Sequence, residues 1–133
     1  MRCSSTTLRS SARSLTNPRL VAAKARLDRL DWWPTPVSIE RVRLFTAPWF
    51  FRLPGLGRFD GYAFHQVILL RADDASDDLV THELCHVWQM QHRPFRMPLS
   101  YLATGYADNQ YERQARAAAA WTRSERRQDE PVA

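Results

Sequence analysis

The stretch SDDLVTHELCHVWQMQH, residues 76–92, contains the pentapeptide His82-Glu83-Leu84-Cys85-His86, which reads H-E-x-x-H. On an α-helix, residues i and i+4 lie one turn apart on the same side, so a helix here aims two imidazoles at one point. Glu83 falls about 100° round the axis, flanking that point without occupying it. Two neutral nitrogen ligands with a carboxylate beside them are what a hydrolytic zinc site uses. The flanks favour a helix from Leu79 to about His92. Asp73, Asp74, Asp77 and Asp78 complement the dipole at its start, and Ser76 or Asp77 supplies an N-cap. These acids do not make an EF-hand calcium loop, because their spacing is wrong and the central glycine is missing. Val80, Leu84, Val87 and Gln91 share the face opposite the histidines, the back on which the helix is expected to pack. Cys85 flanks the histidine face on the side away from Glu83. It reads as a small core residue, with a ligand or nucleophile role as the competing reading.

Upstream, Tyr62 to Arg71 (YAFHQVILLR) is the best strand in the chain, β-branched and apolar at its centre. His65, on that strand, is expected to be structural rather than a ligand. Should the strand lie at a sheet edge, an extended peptide could pair with it. Residues 46–61 carry Pro48, Pro54, Gly55, Gly57 and Gly61 among Trp49, Phe50, Phe51 and Phe59, the composition of a loop with aromatic anchors. Val37 to Phe45 (VSIERVRLF) alternates imperfectly and favours another strand. Asn17-Pro18 opens a helix, as N-cap and first helical residue. Leu20, Val21, Ala23, Leu27 and Leu30 form its apolar stripe, with Lys24, Arg26 and Arg29 largely off it. Trp33 precedes Pro34 and is pushed out of the α region, so this helix is expected to stop near Asp31. Trp32 and Trp33 read as packing residues.

Downstream, Pro94 and Pro98 interrupt the motif helix, and a short helical run from Pro98 to Ala103 ends at Gly105. Asn109 then starts a last helix, Gln110 to about Arg126, with Ala117–Ala120 at its centre. Two histidines hold zinc poorly, and a catalytic site usually has three protein ligands. The candidates for the third are His92, Asp108 and Glu112. His92 points away on the same helix, and Asp108 falls in the connection between helices. Glu112 sits on the first turn of a separate helix that can pack antiparallel to the first. It has a second reading: Asn109-Gln110-Tyr111-Glu112 places Glu at N3 behind an Asn cap, a variant of the capping box. A real H-E-x-x-H site favours the ligand; the last helix taken alone favours the cap.

HELCHVWQ followed by NQYERQARAAA resembles the small gluzincin-type zinc metallopeptidases, in which H-E-x-x-H on one helix is completed by a glutamate on the next. The likeness spans about residues 60–120. It includes the upstream strand, the polar helix start, and an N-x-x-E-x-x-A pattern carried by Asn109, Glu112 and Ala115. The resemblance implies one zinc ion held by His82, His86 and Glu112. It implies Glu83 as the general base, and hydrolysis of a peptide or protein substrate by zinc-activated water. The fold implied is α+β, a minimal zincin-like domain over residues 17–127 with a small β-sheet packed on the H-E-x-x-H helix and the following Glu-bearing helix. Tyr101, Tyr106 and Tyr111 are candidate oxyanion donors. One position departs from the pattern: many gluzincins place an acid four residues after the ligand glutamate to orient a ligand histidine, and here that residue is Arg116. Asp78 and Asp108 are the available substitutes. The missing acid, and the lack of a substrate-binding domain, keep open an alternative: a non-catalytic zinc- or protein-binding module on the same scaffold.

Composition narrows the partner classes. A chain of 133 residues with 44 % hydrophobic and 25 % charged residues fits one globular domain. Apolar runs such as Val67–Leu70 are far too short to cross a bilayer. The net charge is +5, but Lys24 is the only lysine, much of the arginine lies at the two ends, and no basic block stands out. Nucleic-acid binding is therefore not expected as the main role. Met1–Thr16, rich in Ser, Thr and Arg without an acid, reads as a disordered basic tail. It resembles a transit peptide in composition and lacks the apolar segment of a secretory signal. Residues 128–133 read as a frayed tail. Cys3 and Cys85 are poorly placed for a disulfide, which points to a reducing, cytoplasmic setting.

Overall fold

The structure is a computed structural model that describes residues 17–129, with side chains described as far as Arg123. The basic tail, Cys3 and the end of the C-terminal tail lie outside the described residues. In chain order the elements are α1 (Pro18–Leu27), β1 (Arg43–Thr46), a 3₁₀ turn (Phe50–Arg52), β2 (Gly61–Phe64), β3 (Val67–Leu70), α2 (Asp77–His92), α3 (Arg96–Thr104) and α4 (Gln110–Asp129). The architecture is mixed α+β: a three-stranded sheet in the order β1-β3-β2, with helices packed around α2. No described helix is long and apolar enough to cross a membrane.

Local chemistry sets the helix starts. Asn17 accepts the Arg19 N–H at 3.0 Å, Ser76 Oγ accepts the Leu79 N–H at 3.1 Å, and Asn109 Oδ1 accepts the Tyr111 N–H at 2.8 Å. Gly105, at a φ of 73°, ends α3. α2 lies at the centre. Val80, Leu84, Cys85, Val87 and Trp88 share one core with Leu20 and Leu27 of α1, Ile68 and Leu70 of β3, and Ala115 and Ala118 of α4. Trp32 and Trp33 pack against this core, as expected.

Several expectations are corrected. The stretch Tyr62 to Arg71 is a hairpin rather than one strand. β2 and β3 pair antiparallel, with Phe64 opposite Val67 across a turn at His65-Gln66. His65 takes a φ of 53°, a conformation usually left to Gly or Asn in such turns, so the turn carries no sequence signal. Its N–H donates to Met90 Sδ of α2. Within Val37 to Phe45 only the end is strand, pairing parallel to β3 from Arg43. Val37 and Ile39 are buried from a loop instead. α1 ends at Leu27, before the expected Asp31, because after the Asp28 N–H bonds the Lys24 carbonyl the next bonds, Arg29 to Arg26 and Leu30 to Leu27, tighten to the i→i−3 pattern. Val21 is exposed, whereas Arg26 is buried between helices: its guanidinium donates to Thr122 Oγ1, the Ala119 carbonyl and Asp78. Gln91 is only half-buried and brackets the Ser38 backbone with two hydrogen bonds.

Candidate metal centre

α2 and α4 bring the site together. On α2 the His82 and His86 Nε2 atoms lie 3.1 Å apart, with the rings nearly perpendicular. Across the helix interface, Glu112 of α4 is buried at 1 % exposure and places Oε1 2.9 Å from His82 Nε2 and Oε2 2.9 Å from His86 Nε2. Asn109 positions this helix start. Its Oδ1 caps α4, while its Nδ2 donates to Ser100 Oγ and Thr104 Oγ1 of α3. The capping-box reading of Glu112 is not realised, because the Asn109 N–H bonds the Tyr106 carbonyl and the Glu112 carboxylate turns to the histidines.

The three groups form a His–His–Glu cluster close enough to bind a metal ion, with one ligand atom from each lying within 4.8 Å of the others. The donor set suits a borderline-soft divalent cation such as zinc. The imidazole Nε2 atoms are 3.1 Å apart and each meets its own Glu112 oxygen at 2.9 Å, against about 3.3 Å between the ligand atoms of a tetrahedral zinc with bonds near 2.05 Å.

Gln89 decides which nitrogen His86 offers. This fully buried amide donates through Nε2 to the Tyr111 carbonyl and to Gln114 Oε1, each at 2.8 Å. The backbone carbonyl accepts only, so the amide orientation is fixed and Oε1 must face His86. The 2.8 Å contact between them is therefore a bond from His86 Nδ1–H to Gln89 Oε1, leaving Nε2 toward Glu112 and His82. A side chain on the motif helix thus orients the His86 ring and ties it to the helix that carries Glu112. The only signal in the sequence is a polar residue three positions after His86, on a flank that is otherwise buried.

Glu83 is 5 % exposed and makes no hydrogen bond or ion pair among the described residues. Burial pushes its carboxyl above the usual range, and the two nearby imidazoles only partly offset this. β2 passes directly over it: a Cβ on Gly61 would come within 3.0 Å of Glu83 Cγ and Oε1. Glycine at 61 is what lets strand and carboxylate approach.

Electrostatics follow from these contacts. For Glu112, burial alone would raise the carboxyl, but the hydrogen bonds from His82 and His86 hold it well below its usual range. For His86, burial alone would disfavour the charge; the Glu112 hydrogen bond and the Glu83 charge outweigh it and raise the imidazole. The Tyr106 hydroxyl donates to Glu112 Oε1 at 2.9 Å and the Tyr101 hydroxyl to Oε2 at 3.3 Å. Burial and the Glu112 charge raise both phenols, Tyr106 to about 12, so both remain donors.

Two clefts meet at this cluster. One, of about 530 Å³, runs under β2 between Gly61, Ala63 and Phe64 and the residues Met90, Met97, Tyr101 and Leu102, with Glu83, His86 and Glu112 lining it. The other, of about 380 Å³, reaches His82, Glu83 and Glu112 from the side of Arg58, Arg116 and Arg123.

Other candidates fall elsewhere. His92 bonds Thr35 and stacks on Trp33; Asp108 is exposed; His65 sits on the hairpin turn. Asp78 does not orient His82, because its carboxylate is held by Arg26 and Arg123. Cys85 is buried in the core and its thiol is pushed up to about 12 by burial. Tyr111 packs with Met90 and Met97, away from the carboxylate. Arg116 places Nε 3.6 Å from Glu112 Oε1, so it touches the third member of the cluster itself. None of the family models, curated proteins or solved structures compared with this chain matches it.

Proposed function

We propose that this protein is a zinc-dependent, gluzincin-like metallopeptidase in which His82, His86 and Glu112 hold the ion and Glu83 is the general base. The observation that carries the reading is the convergence of a buried Glu112 on both imidazoles, beside an unpartnered, nearly buried Glu83 at the floor of a cleft. A zinc ion held there supplies Lewis-acid polarisation of a carbonyl and acidifies water.

The chain's own residues account for the remaining steps. Glu83 has no partner to give up, and its raised affinity for a proton suits a group that takes one from attacking water and returns it to the leaving nitrogen. Tyr106 and Tyr101 stay protonated and give their single O–H to Glu112, so they steady that carboxylate, and either one serves an oxyanion only by releasing it. In the β2–β3 hairpin Phe64 pairs with Val67 and Tyr62 with Leu69. If the residues flanking the two-residue turn form the bonded pair, the backbone groups of Gly61 and Ala63 point to the free edge of β2. An extended peptide pairing there lies over Glu83.

The second reading is a non-catalytic zinc-binding module, favoured by His82, whose Nδ1 has no hydrogen bond among the described residues, unlike that of His86. Metal analysis and cleavage of unstructured protein substrates, with and without chelator, test both. Glu83→Gln should retain one zinc per chain and abolish cleavage, whereas Glu112→Gln should lose zinc affinity. Protein that stays metal-free after zinc loading would sink both readings. Zinc-loaded wild type without cleavage would leave the binding module.

A further inference from the structure

The cluster lies where an apolar cleft and a basic cleft meet, and the basic side has an arginine with no assigned partner. Arg58 lines both clefts. Its backbone is fixed on either side, because the Arg71 guanidinium donates to the Gly57 and Phe59 carbonyls and pairs with Asp60. Its own guanidinium lies over the Phe59 ring at 4.9 Å and the Tyr106 ring at 5.6 Å, and no described carboxylate pairs with it. Arg116 lies over the same Tyr106 ring at 5.7 Å. Tyr106 thus gathers two guanidiniums beside the metal-binding group; Arg58, held over ring faces, keeps its N–H donors available for a planar anion, while Arg116 also bonds the Tyr106 side chain.

The charge balance points the same way. The second cleft holds three arginines and four carboxylates; Asp60 is paired with Arg71 and Asp78 with Arg26 from outside it, while Arg123 within it also holds Asp78, which leaves Arg58 and Arg116 as its arginines uncommitted to an aspartate. A divalent cation offsets Glu83 and Glu112, which leaves positive charge in excess. Arg116 approaches Glu112, with Nε 3.6 Å from Oε1. Once that carboxylate is committed to a metal, the guanidinium is free to turn to a substrate.

We infer that Arg58 and Arg116 form a carboxylate-binding subsite beside the metal centre, so that preferred substrates carry a carboxylate on one side of the scissile bond and an apolar residue on the other. This rests on the peptidase reading above. The carboxylate is either a free C-terminus or an Asp or Glu side chain, and a preformed guanidinium fork recognises both by paired hydrogen bonds.

Four matched peptides separate the two sources: C-terminal acid against amide, and internal Glu against Gln, each with an apolar residue across the bond. Cleavage by the zinc-loaded protein is measured as kcat/KM, and binding is measured on zinc-loaded Glu83→Gln. The carboxylate member of at least one pair should be favoured by on the order of tenfold or more. Arg58→Gln, which touches no proposed ligand, should erase that preference while changing the neutral member less than about threefold. Arg116→Gln should also lower the preference for the carboxylate member, and because Arg116 touches Glu112 the ratio within each pair is compared at equal zinc loading. Equal cleavage within each pair, or an Arg58→Gln effect equal on both members, overturns the subsite and leaves the peptidase. Carboxylate-selective binding that depends on Arg58, with no turnover in wild type, supports the subsite and overturns the peptidase reading. Neither binding nor cleavage of any peptide overturns both.

Discussion

Replacing Gln89 by methionine isolates what orients His86. Methionine has the same unbranched length and fills irregular space well, so no large cavity is created. The change deletes three hydrogen bonds of 2.8 Å at a fully buried position. Gln114 is half-buried and can turn to water, and the Tyr111 carbonyl keeps its place in the α4 ladder, so the main loss is the partner of His86 Nδ1–H. An unsatisfied buried donor costs about 1–3 kcal/mol. Orienting partners of metal ligands are worth 10–100-fold in affinity, which is about 1.4–2.7 kcal/mol. Gln89→Met should therefore weaken zinc binding 10–100-fold in a chelator-competition titration. It should also shrink the zinc-induced rise in Tm by more than it lowers the Tm of the metal-free protein. Zinc affinity within twofold of wild type would refute the reasoning, because it would mean that packing alone holds the ring.

Three further outcomes follow from the geometry. Gly61→Ala puts a methyl group 3.0 Å from Glu83; strand or carboxylate must shift, so cleavage should fall at least tenfold with zinc content intact, and unchanged cleavage would show that β2 gives way freely. Arg26→Met removes the bonds to Asp78, Thr122 and the Ala119 carbonyl, and with Asp78 partly exposed and still held by Arg123 it should cost about 1–3 kcal/mol, read by urea denaturation; no measurable loss would mean that Arg123 suffices. For pH, Glu112 is depressed, so its share of the metal-free His–Glu stabilisation is present above its ordinary 4.5 and lost as pH falls through its folded value. His86 is raised, so its share is complete below its ordinary 6.5 and lost as pH rises through its folded value. The stability difference between wild type and Glu112→Gln in chelator should thus be larger near pH 5.5 than near pH 8.5. Zinc affinity should run the other way, because the ion displaces the His86 proton; a pH-independent difference would show that the pair is not charged without metal.

Features that the chain settles within a turn or two of helix were legible from the residues alone. The i, i+4 spacing puts His82 and His86 on one side of α2, and the Asn17, Ser76 and Asn109 caps and the Gly105 stop rest on a few neighbouring backbone groups. The rest depends on contacts between elements far apart in the chain. The His65-Gln66 turn hides because a positive φ at histidine has no residue code, and its N–H is met by Met90 from another element. Arg26 leaves solvent only because Asp78, Ala119 and Thr122 from two other helices meet its guanidinium. Glu112 satisfied two local rules equally well, cap and ligand, and it took the docking of α4 on α2 to turn its carboxylate away from Asn109 and onto the two imidazoles. Gln89, whose polarity looks out of place on a buried helix, makes sense only once α4 supplies the acceptors that fix its amide. Local spacing picks out the two histidines, and the packing of helices distant in sequence sets their orientation and their partners.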